Sequence, residues 1–331
     1  MAVTIHDVAR RARVSPATVS RALAEPHLLR QSTLKRVLAI ARQLAYHPNP
    51  AARSLITGKT GNIGIIVPDI ANPFYPSVLR GVQAGAHQAG YSILLGDSEE
   101  NPAAEEKLVH TMAKQVDGVI ICAPFGSDAE LLRLAKIRPL VLVNRRLRGV
   151  PAVLMDVANG MRQVVSHLAV LGHRRCAYLG GPRNAWSNRE RQRGLRVAAK
   201  SQAIHLVELG PFEPKFDEGI RGADLAMEEG VTAIVAYNDL MALGVLSRLH
   251  TRQVRVPEDM SVVGFDDVLY AAMCAPPLTT VSMPMAAAGR AAVDIFLRRQ
   301  HTDQPTPDHR LATELIVRST TAKPSSAPMR P

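Results

Sequence analysis

The chain has 331 residues, enough for two or three domains, and its hydrophobic content of 47% supports packed globular cores. Forty basic residues against twenty-nine acidic ones give a net charge of +11. No stretch approaches the ~18 apolar residues of a membrane span, and the N-terminus lacks the apolar segment of a secretion signal. The sequence therefore predicts a cytoplasmic protein. Its cysteines are expected to be buried thiols, neither disulfide-bonded nor metal-bound (Cys122, Cys176, Cys274).

Residues 4–25, TIHDVARRARVSPATVSRALAE, predict two short helices joined by a tight turn. Ser15 suits an N-cap, and Pro16 suits the first helical position, where a missing N–H costs nothing. The second helix would turn small polar groups and one basic group outward, as a helix entering a DNA major groove does. These outward residues are Ala17, Thr18, Ser20 and Arg21. An ordinary helical hairpin with a solvated face is the alternative.

The distribution of charge favours the DNA-binding interpretation. Residues 1–60 hold ten Lys and Arg against two acids, a net +8 out of the whole-chain +11. Neutralising phosphates requires such an imbalance, whereas an ordinary solvated surface does not. A third amphipathic helix over residues 32–44, capped by Ser32 or Thr33, would complete a small domain spanning residues 1–47.

Residues 48–60 predict a short helix of about two turns, begun by Asn49 and Pro50 and ended by Gly58. A helix this short is marginal alone in water, so it needs a partner. A plain linker helix, with Leu55 packed on the next domain, is the alternative.

From residue 62 onward, short apolar runs alternate with helical patterns, which predicts βαβ units and parallel sheets. The predicted strands are residues 63–67, 91–95, 118–122, 140–143, 152–155, 176–179, 233–236 and 261–264. The predicted helices include residues 78–89, 105–115, 160–171, 189–199 and 239–248. Their number suggests two lobes with a ligand between them. We expect a first lobe of residues 61–155 plus 285–311, a second lobe of 156–284 plus 312–320, and a disordered tail at 321–331.

Ligands of such lobes bind at the carboxyl ends of the strands, where polar and aromatic residues follow the apolar runs. Amide, carboxylate and guanidinium groups beside an aromatic face suit a polyhydroxylated ligand. The candidates are Asp69, Asn72, Phe74, Tyr75, Asn144, Arg145, Asn238, Asp239, Asp266 and Asp267. For each, a surface or helix-capping role is the alternative.

The chain resembles the LacI/GalR family of bacterial transcription regulators. The resemblance rests on TIHDVARRARVSPATVSRAL and on HPNPAARSL at residues 47–55, and later motifs extend it over most of the chain. It implies a helix-turn-helix domain, a hinge helix and a periplasmic-binding-protein-like α/β core. In this family the hinge helices pair across a dimer in the minor groove. Leu55 would then be the wedge between base pairs, Ala52 would allow close approach, and Asn49 is a further predicted DNA contact.

The resemblance also implies effector contacts. YNDLMALG places Asn238 in the pocket, VVGFDD places Asp266, WSNRERQRGL places Arg191, and ANPFYP places Phe74. VLVNRR puts Asn144 and Arg145 at the cleft, and Trp186 is a weaker candidate. Arginines on these motifs hint at an acidic or phosphorylated effector, namely Arg145, Arg146, Arg189 and Arg191.

The sequence therefore predicts a homodimeric DNA-binding repressor, controlled by a sugar-like or sugar-acid effector and acting on a roughly palindromic operator. Arg21 and Thr18 would contact bases or phosphates, and Thr4, Ser15 and Ser20 would position the DNA backbone. Pro16 and Ala17 allow little direct readout beyond a thymine methyl. No enzyme motif, cofactor site or metal site is predicted. A soluble sugar-binding protein and a sugar or nucleoside enzyme remain the alternatives.

Overall fold

The computed structural model describes residues 3–24, 26–46, 58–300 and 307–325. The chain divides into two compact units, one within residues 1–60 and one within residues 61–331. The described part of the first unit contains α1 (Ile5–Ala12), α2 (Pro16–Ala24) and α3 (Gln31–Gln43), with a 3₁₀ turn at Pro26–Leu28. Their apolar faces meet in a small core that includes Val8, Val19 and Val37, all fully buried.

Local hydrogen bonds define where these helices begin. The N–H and the hydroxyl of Thr4 both donate to the Asp7 carboxylate at the start of α1. Ser15 Oγ accepts the Thr18 N–H at 3.2 Å, which confirms the predicted cap of α2. The predicted cap of α3 is wrong, because α3 begins one residue before Ser32, and its N-cap, Arg30, makes no side-chain capping bond.

The second unit begins with a parallel six-stranded sheet in the order β11-β5-β4-β3-β1-β2. Its strands are β1 (Asn62–Val67), β2 (Ser92–Asp97), β3 (Gly118–Cys122), β4 (Leu140–Val143), β5 (Ala152–Met155) and β11 (His309–Leu311). The helices of this lobe are α4 (Phe74–Gln88), α5 (Pro102–Met112), α6 (Asp128–Ile137) and α12 (Met285–Arg299). α4 and α12 cross closely, since a Cβ on Gly81 would lie 2.0 Å from the Ala286 carbonyl oxygen.

A second six-stranded sheet has the order β12-β10-β9-β8-β6-β7, with only the edge strand β12 antiparallel to its neighbour. Its strands are β6 (Arg175–Leu179), β7 (His205–Leu209), β8 (Ala233–Ala236), β9 (Ser261–Asp266), β10 (Thr279–Ser282) and β12 (Glu314–Ile316). The helices of this lobe are α7 (Val157–Leu171), α8 (Trp186–Ser201), α9 (Phe216–Glu228), α10 (Asp239–Thr251) and α11 (Leu269–Met273).

The backbone passes between the two sheets three times: after β5, after β10 and between β11 and β12. One apolar cluster is shared by both lobes, since it contains Ile63 and Val141 from the first and Tyr178 and Phe265 from the second. Each sheet also has a separate cluster on its other face. Among the helices of the described residues, none is long and apolar enough to cross a membrane.

The C-terminal segment departs from the prediction of a disordered tail beginning at residue 321. Thr321 shares a hydrogen bond with His167, and the Ala322 N–H donates to Ser261 Oγ at 3.1 Å. The ordered chain therefore continues along the second lobe beyond residue 320. The last residues of the predicted tail, 326–331, lie outside the described residues.

Candidate functional sites

The outer face of α2 is the first candidate site. Ala17 and Arg21 are exposed, while Val19 and Ala22 are buried against the neighbouring helices. Thr18 Oγ1 lies 2.9 Å from Ser15 Oγ, so the two predicted contact residues are held together at the start of the helix. The predicted base-reading face is thus on the surface, and its direction is fixed by the core beneath it.

The predicted hinge contacts lie outside the described residues. These are Asn49, Ala52 and Leu55. Their roles stay predictions.

The second candidate site is a small cavity between the two lobes, with a volume of about 30 Å³. It lies where the carboxyl ends of strands from both sheets face each other, as expected for open α/β lobes. Its lining is Asn72, Phe74, Tyr75, Glu100, Ala123, Phe125, Asn144, Ser187, Arg191, Pro214, Tyr237, Asn238 and Asp266. A single water needs about 10–15 Å³, so the cavity holds two or three waters at most. A sugar is larger than this and enters only if the lobes separate.

A buried ion pair forms the floor of this cavity. Arg191 Nη2 donates to Asp266 Oδ1 at 3.0 Å, and both side chains are less than 7% exposed. The guanidinium is also stacked between two rings, 4.3 Å from the Tyr237 centroid and 4.1 Å from that of Phe265. Arg191 Nη1 donates to the Tyr237 carbonyl. Stacking and hydrogen bonding from three sides fix the plane of the guanidinium.

Burial governs the protonation of the carboxyl in this pair. It raises the pKa of Asp266 to about 8, although Arg191 acts in the opposite direction. Asp239 directly follows the lining residue Asn238 and is also fully buried. Burial raises the pKa of Asp239 to about 6. Asp239 accepts hydrogen bonds from the Thr280 hydroxyl at 2.6 Å and the Val268 N–H at 2.9 Å. Raised carboxyl pKa values clustered in a cleft are typical of functional sites.

Unsatisfied polar atoms also mark the cavity. Arg191 Nε and Asn144 Oδ1 are buried and have no hydrogen-bond partner among the described residues. Asn144 and Asp266 both have positive φ angles, 58° and 126°, which non-glycine residues rarely adopt. Such strain and such orphaned groups cost free energy in the folded state, and they concentrate where a ligand supplies the missing contacts.

Asn238 lies in the lining and also performs the structural role that was its alternative. Its Oδ1 accepts the Met241 N–H at 2.9 Å and caps α10, and its Nδ2 donates to the Pro214 carbonyl at 3.1 Å. An effector contact from this side chain would therefore be additional to its capping bond.

Five predicted contacts do not line the cavity: Asp69, Arg145, Trp186, Asp239 and Asp267. Asp267 instead pairs with Arg318 at 2.6 Å. Arg145 Nη1 donates to the Pro124 carbonyl at 3.0 Å, and its Nη2 pairs with Asp128 at 2.6 Å. These bonds hold the loop after β3 from behind, so Arg145 supports the cavity wall. Asp69 stands near the rim, where its Oδ1 accepts the Ala71 N–H at 2.8 Å.

Phe74 lines the cavity as predicted and packs edge to face against Tyr75, with their ring centroids 5.1 Å apart. Trp186 lies outside the lining and packs against the apolar cluster of the first lobe from its place on the second.

Several lining residues were missed. Glu100, Phe125, Ser187, Pro214 and Tyr237 were not named from the sequence, although Tyr237 directly follows β8 and precedes Asn238. The strand-end rule would have found Tyr237 if every residue after each run had been included. Glu100 lay beyond the predicted end of β2.

The chain matches two family patterns. Bacterial regulatory proteins of the lacI family match over residues 4–49, and the periplasmic binding protein-like domain matches over residues 165–321. The HTH-type transcriptional repressor CytR of Escherichia coli K12 is 32% identical over 97% of this chain and 96% of its own length. The chain belongs to the LacI family.

Solved structures agree with this membership of the LacI family. A lac repressor dimer bound to operator and the anti-inducer ONPF has a TM-score of 0.88 and 27% identity, covering 97% of this chain and all of that one. A LacI family regulator from Enterococcus faecium with bound ribose has a TM-score of 0.72 and 27% identity, covering 79% of this chain and 99% of its own. The LacI family protein described here thus has the fold of a DNA-binding repressor with a ligand-binding core.

Proposed function

We propose that this LacI family regulator is a homodimeric repressor that places α2 of each subunit in one half-site of a roughly palindromic operator. The observation that carries the proposal is the exposed face of α2, set in a unit whose sequence supplies most of the net positive charge. Charge supplies affinity for any DNA, and the positioned side chains of α2 supply selectivity. The lac repressor dimer bound to operator supports the same arrangement.

An exposed apolar patch supports the dimer. Leu269, Tyr270 and Met273 on α11 are 72%, 51% and 69% exposed. Adjacent large apolar side chains of this kind are characteristic of protein interfaces. We expect α11 to be covered in the dimer.

The proposal is tested by capturing genomic fragments with the purified full chain and sequencing what binds at moderate salt. Enrichment of one short palindrome is expected. Uniform enrichment that disappears as salt rises would contradict the proposal, because it shows only charge-driven binding.

We further propose that a small sugar-like effector binds in the interlobe cavity and changes operator affinity by changing lobe closure. The buried Arg191–Asp266 pair and the unsatisfied atoms around it support this location. Operator and effector must then alter each other's affinity by the same factor. Asp266→Ala should remove the effector response and spare operator binding, and a normal response in this variant would show that the site lies elsewhere.

The proposed setting is the cytoplasm, where chromosomal DNA is found, and the proposed action on the effector is binding without turnover. Incubating a bound compound with the protein and recovering it unchanged is the expected result. Conversion of the compound would favour the enzymatic alternative.

A further inference from the structure

The charged side chains at the interlobe cavity do not form a site for an anion. Of the arginines that hinted at an acidic effector, only Arg191 lines the cavity, and it is already bound to Asp266 and to the Tyr237 carbonyl. The others are engaged outside the lining: Arg145 with Asp128, Arg146 with Asp308, and Arg189 with the Asn184 carbonyl. The hint from the sequence is therefore not supported by where these side chains lie.

A carboxylate occupies the position that an anion-binding site would give to a cation. Glu100 lines the cavity from the loop after β2, and its N–H donates to the Pro68 carbonyl at 2.8 Å, which seats the loop at the end of β1. Both Glu99 and Glu100 have left-handed backbone conformations, with φ of 50° and 56°. Two consecutive positive φ values in non-glycine residues are strained, so the direction of this loop is specified by the fold.

The surroundings of Glu100 add negative charge. Asp69 of the first lobe and Glu213 of the second both raise the pKa of Glu100, after burial, and Lys215 lowers it. Lys215 Nζ lies 2.6 Å from Glu213 Oε2, so Glu213 already pairs with the ammonium group of Lys215. The charged groups that act on Glu100 are thus two carboxylates and one ammonium group.

The acceptors at the cavity need hydrogen-bond donors. No hydrogen bond is found for the Glu100 carboxylate among the described residues, and Asn144 Oδ1 is buried without a partner. An ionised carboxylate only accepts, and so does an amide oxygen. Hydroxyl and amino groups satisfy such acceptors, whereas phosphate and carboxylate oxygens repel them.

We propose that Glu100 contacts the effector and selects it by charge, so that the cavity takes neutral or amino-bearing polyhydroxylated molecules and rejects sugar acids and sugar phosphates. This inference rests on the proposed effector site and deepens it. Once Asp266 is ionised and neutralises Arg191, an anion entering the cavity would lie beside Glu100 with no unneutralised cation in the lining to balance it. At the effective dielectric of a partly buried site, one such repulsion weakens binding by roughly tenfold or more.

The test uses the full-length protein at pH 9, above the pKa values of about 7 for Glu100 and about 8 for Asp266 that burial produces, so that both carboxyl groups are ionised. Its only tryptophan, Trp186, packs across the cleft, so its fluorescence reports on the site alongside thermal shifts. Matched compounds are titrated: ribose with ribose 5-phosphate and ribonate, glucose with glucosamine, gluconate and glucose 6-phosphate, and adenosine with its monophosphate. We expect binding only among the neutral and amino members, with the anionic counterparts at least tenfold weaker.

The variant Glu100→Gln keeps the shape and removes the charge. This variant should reduce the difference in affinity between a neutral compound and its anionic counterpart by about tenfold. Glu99→Gln is the matched control, because Glu99 is exposed on the same loop and outside the lining. The control should leave this difference unchanged.

An anionic compound that binds wild type as tightly as its neutral counterpart would overturn the inference and leave the proposed effector site standing. A difference in affinity that Glu100→Gln does not change would overturn the role of Glu100. If no compound binds and none alters operator affinity, the proposed effector control fails first, and the inference fails with it.

Discussion

The carboxyl group of Asp266 is either protonated at neutral pH because it is buried, or kept ionised by Arg191, and the pH dependence of stability distinguishes the two. Burial raises the pKa of this carboxyl from its ordinary 3.8 to about 8. Between these values the native state holds a proton that the unfolded chain has lost, so stability from this group is complete below pH 3.8 and falls as pH rises towards 8. One proton changes stability by about 1.4 kcal/mol per pH unit, which amounts to about 3 kcal/mol between pH 5.5 and pH 7.5.

The perturbation is Asp266→Asn, which keeps the shape of the side chain and cannot titrate. Urea unfolding of the core is followed through Trp186, the single tryptophan. Wild type should lose about 3 kcal/mol more than the variant between the two pH values, because the other titrating groups are common to both proteins. Parallel pH dependence would refute the reasoning, and it would show that Arg191 keeps the carboxylate ionised throughout.

Three further predictions concern DNA binding and assembly. Arg21→Ala should weaken operator binding by about 1–3 kcal/mol in fluorescence anisotropy titrations, and specificity should relax at one base pair, because Arg21 is predicted to contact a base. A smaller salt dependence without lost specificity would show that Arg21 contacts a phosphate instead. Leu55→Ala should weaken operator binding strongly and leave effector binding intact, as seen in parallel titrations, and unchanged operator affinity would remove the wedge hypothesis. Met273→Glu should shift the dimer towards monomer in sedimentation experiments, with the exposed Val197→Glu as a control of equal charge; a stable Met273→Glu dimer would place the interface elsewhere.

The parts of the fold that the sequence predicts best are its buried central strands. β3, β4 and β8 have the predicted bounds, because a strand covered on both faces is a continuous apolar run. The edge strand β7 was missed, since its residues are exposed or half-buried and form no such run. α9 was missed as well. It contains Gly219, whose missing side chain lets α10 approach: a Cβ there would lie 2.0 Å from the Met241 carbonyl oxygen. Gly219 lowers the helix propensity of α9, yet the packing of α10 against α9 requires a glycine there.

The position of a residue after a strand was predictable, but the direction of its side chain was not. Asn144 and Arg145 are neighbours after β4, yet only Asn144 lines the cavity. The choice is made by tertiary partners, since Pro124 and Asp128 draw the guanidinium behind the wall. These partners lie 21 and 17 residues away in sequence, beyond any local pattern. Glu100 was missed for a related reason, because β2 extends to Asp97 and the polar loop begins later than its apolar run suggests.

The closed cavity also sets the energy that an effector must supply. With about 30 Å³ available, entry of a sugar-sized ligand requires the lobes to separate at the cleft. One apolar contact across the cleft comes from Trp186, which is only partly buried, and exposing this side chain costs about 1–2 kcal/mol. A dissociation constant of about 1 µM corresponds to about 8 kcal/mol of net binding free energy, from which the cost of opening is already subtracted. An effector binds when its contacts in the cavity outweigh this cost, and in the proposed mechanism the same lobe movement couples effector binding to operator binding.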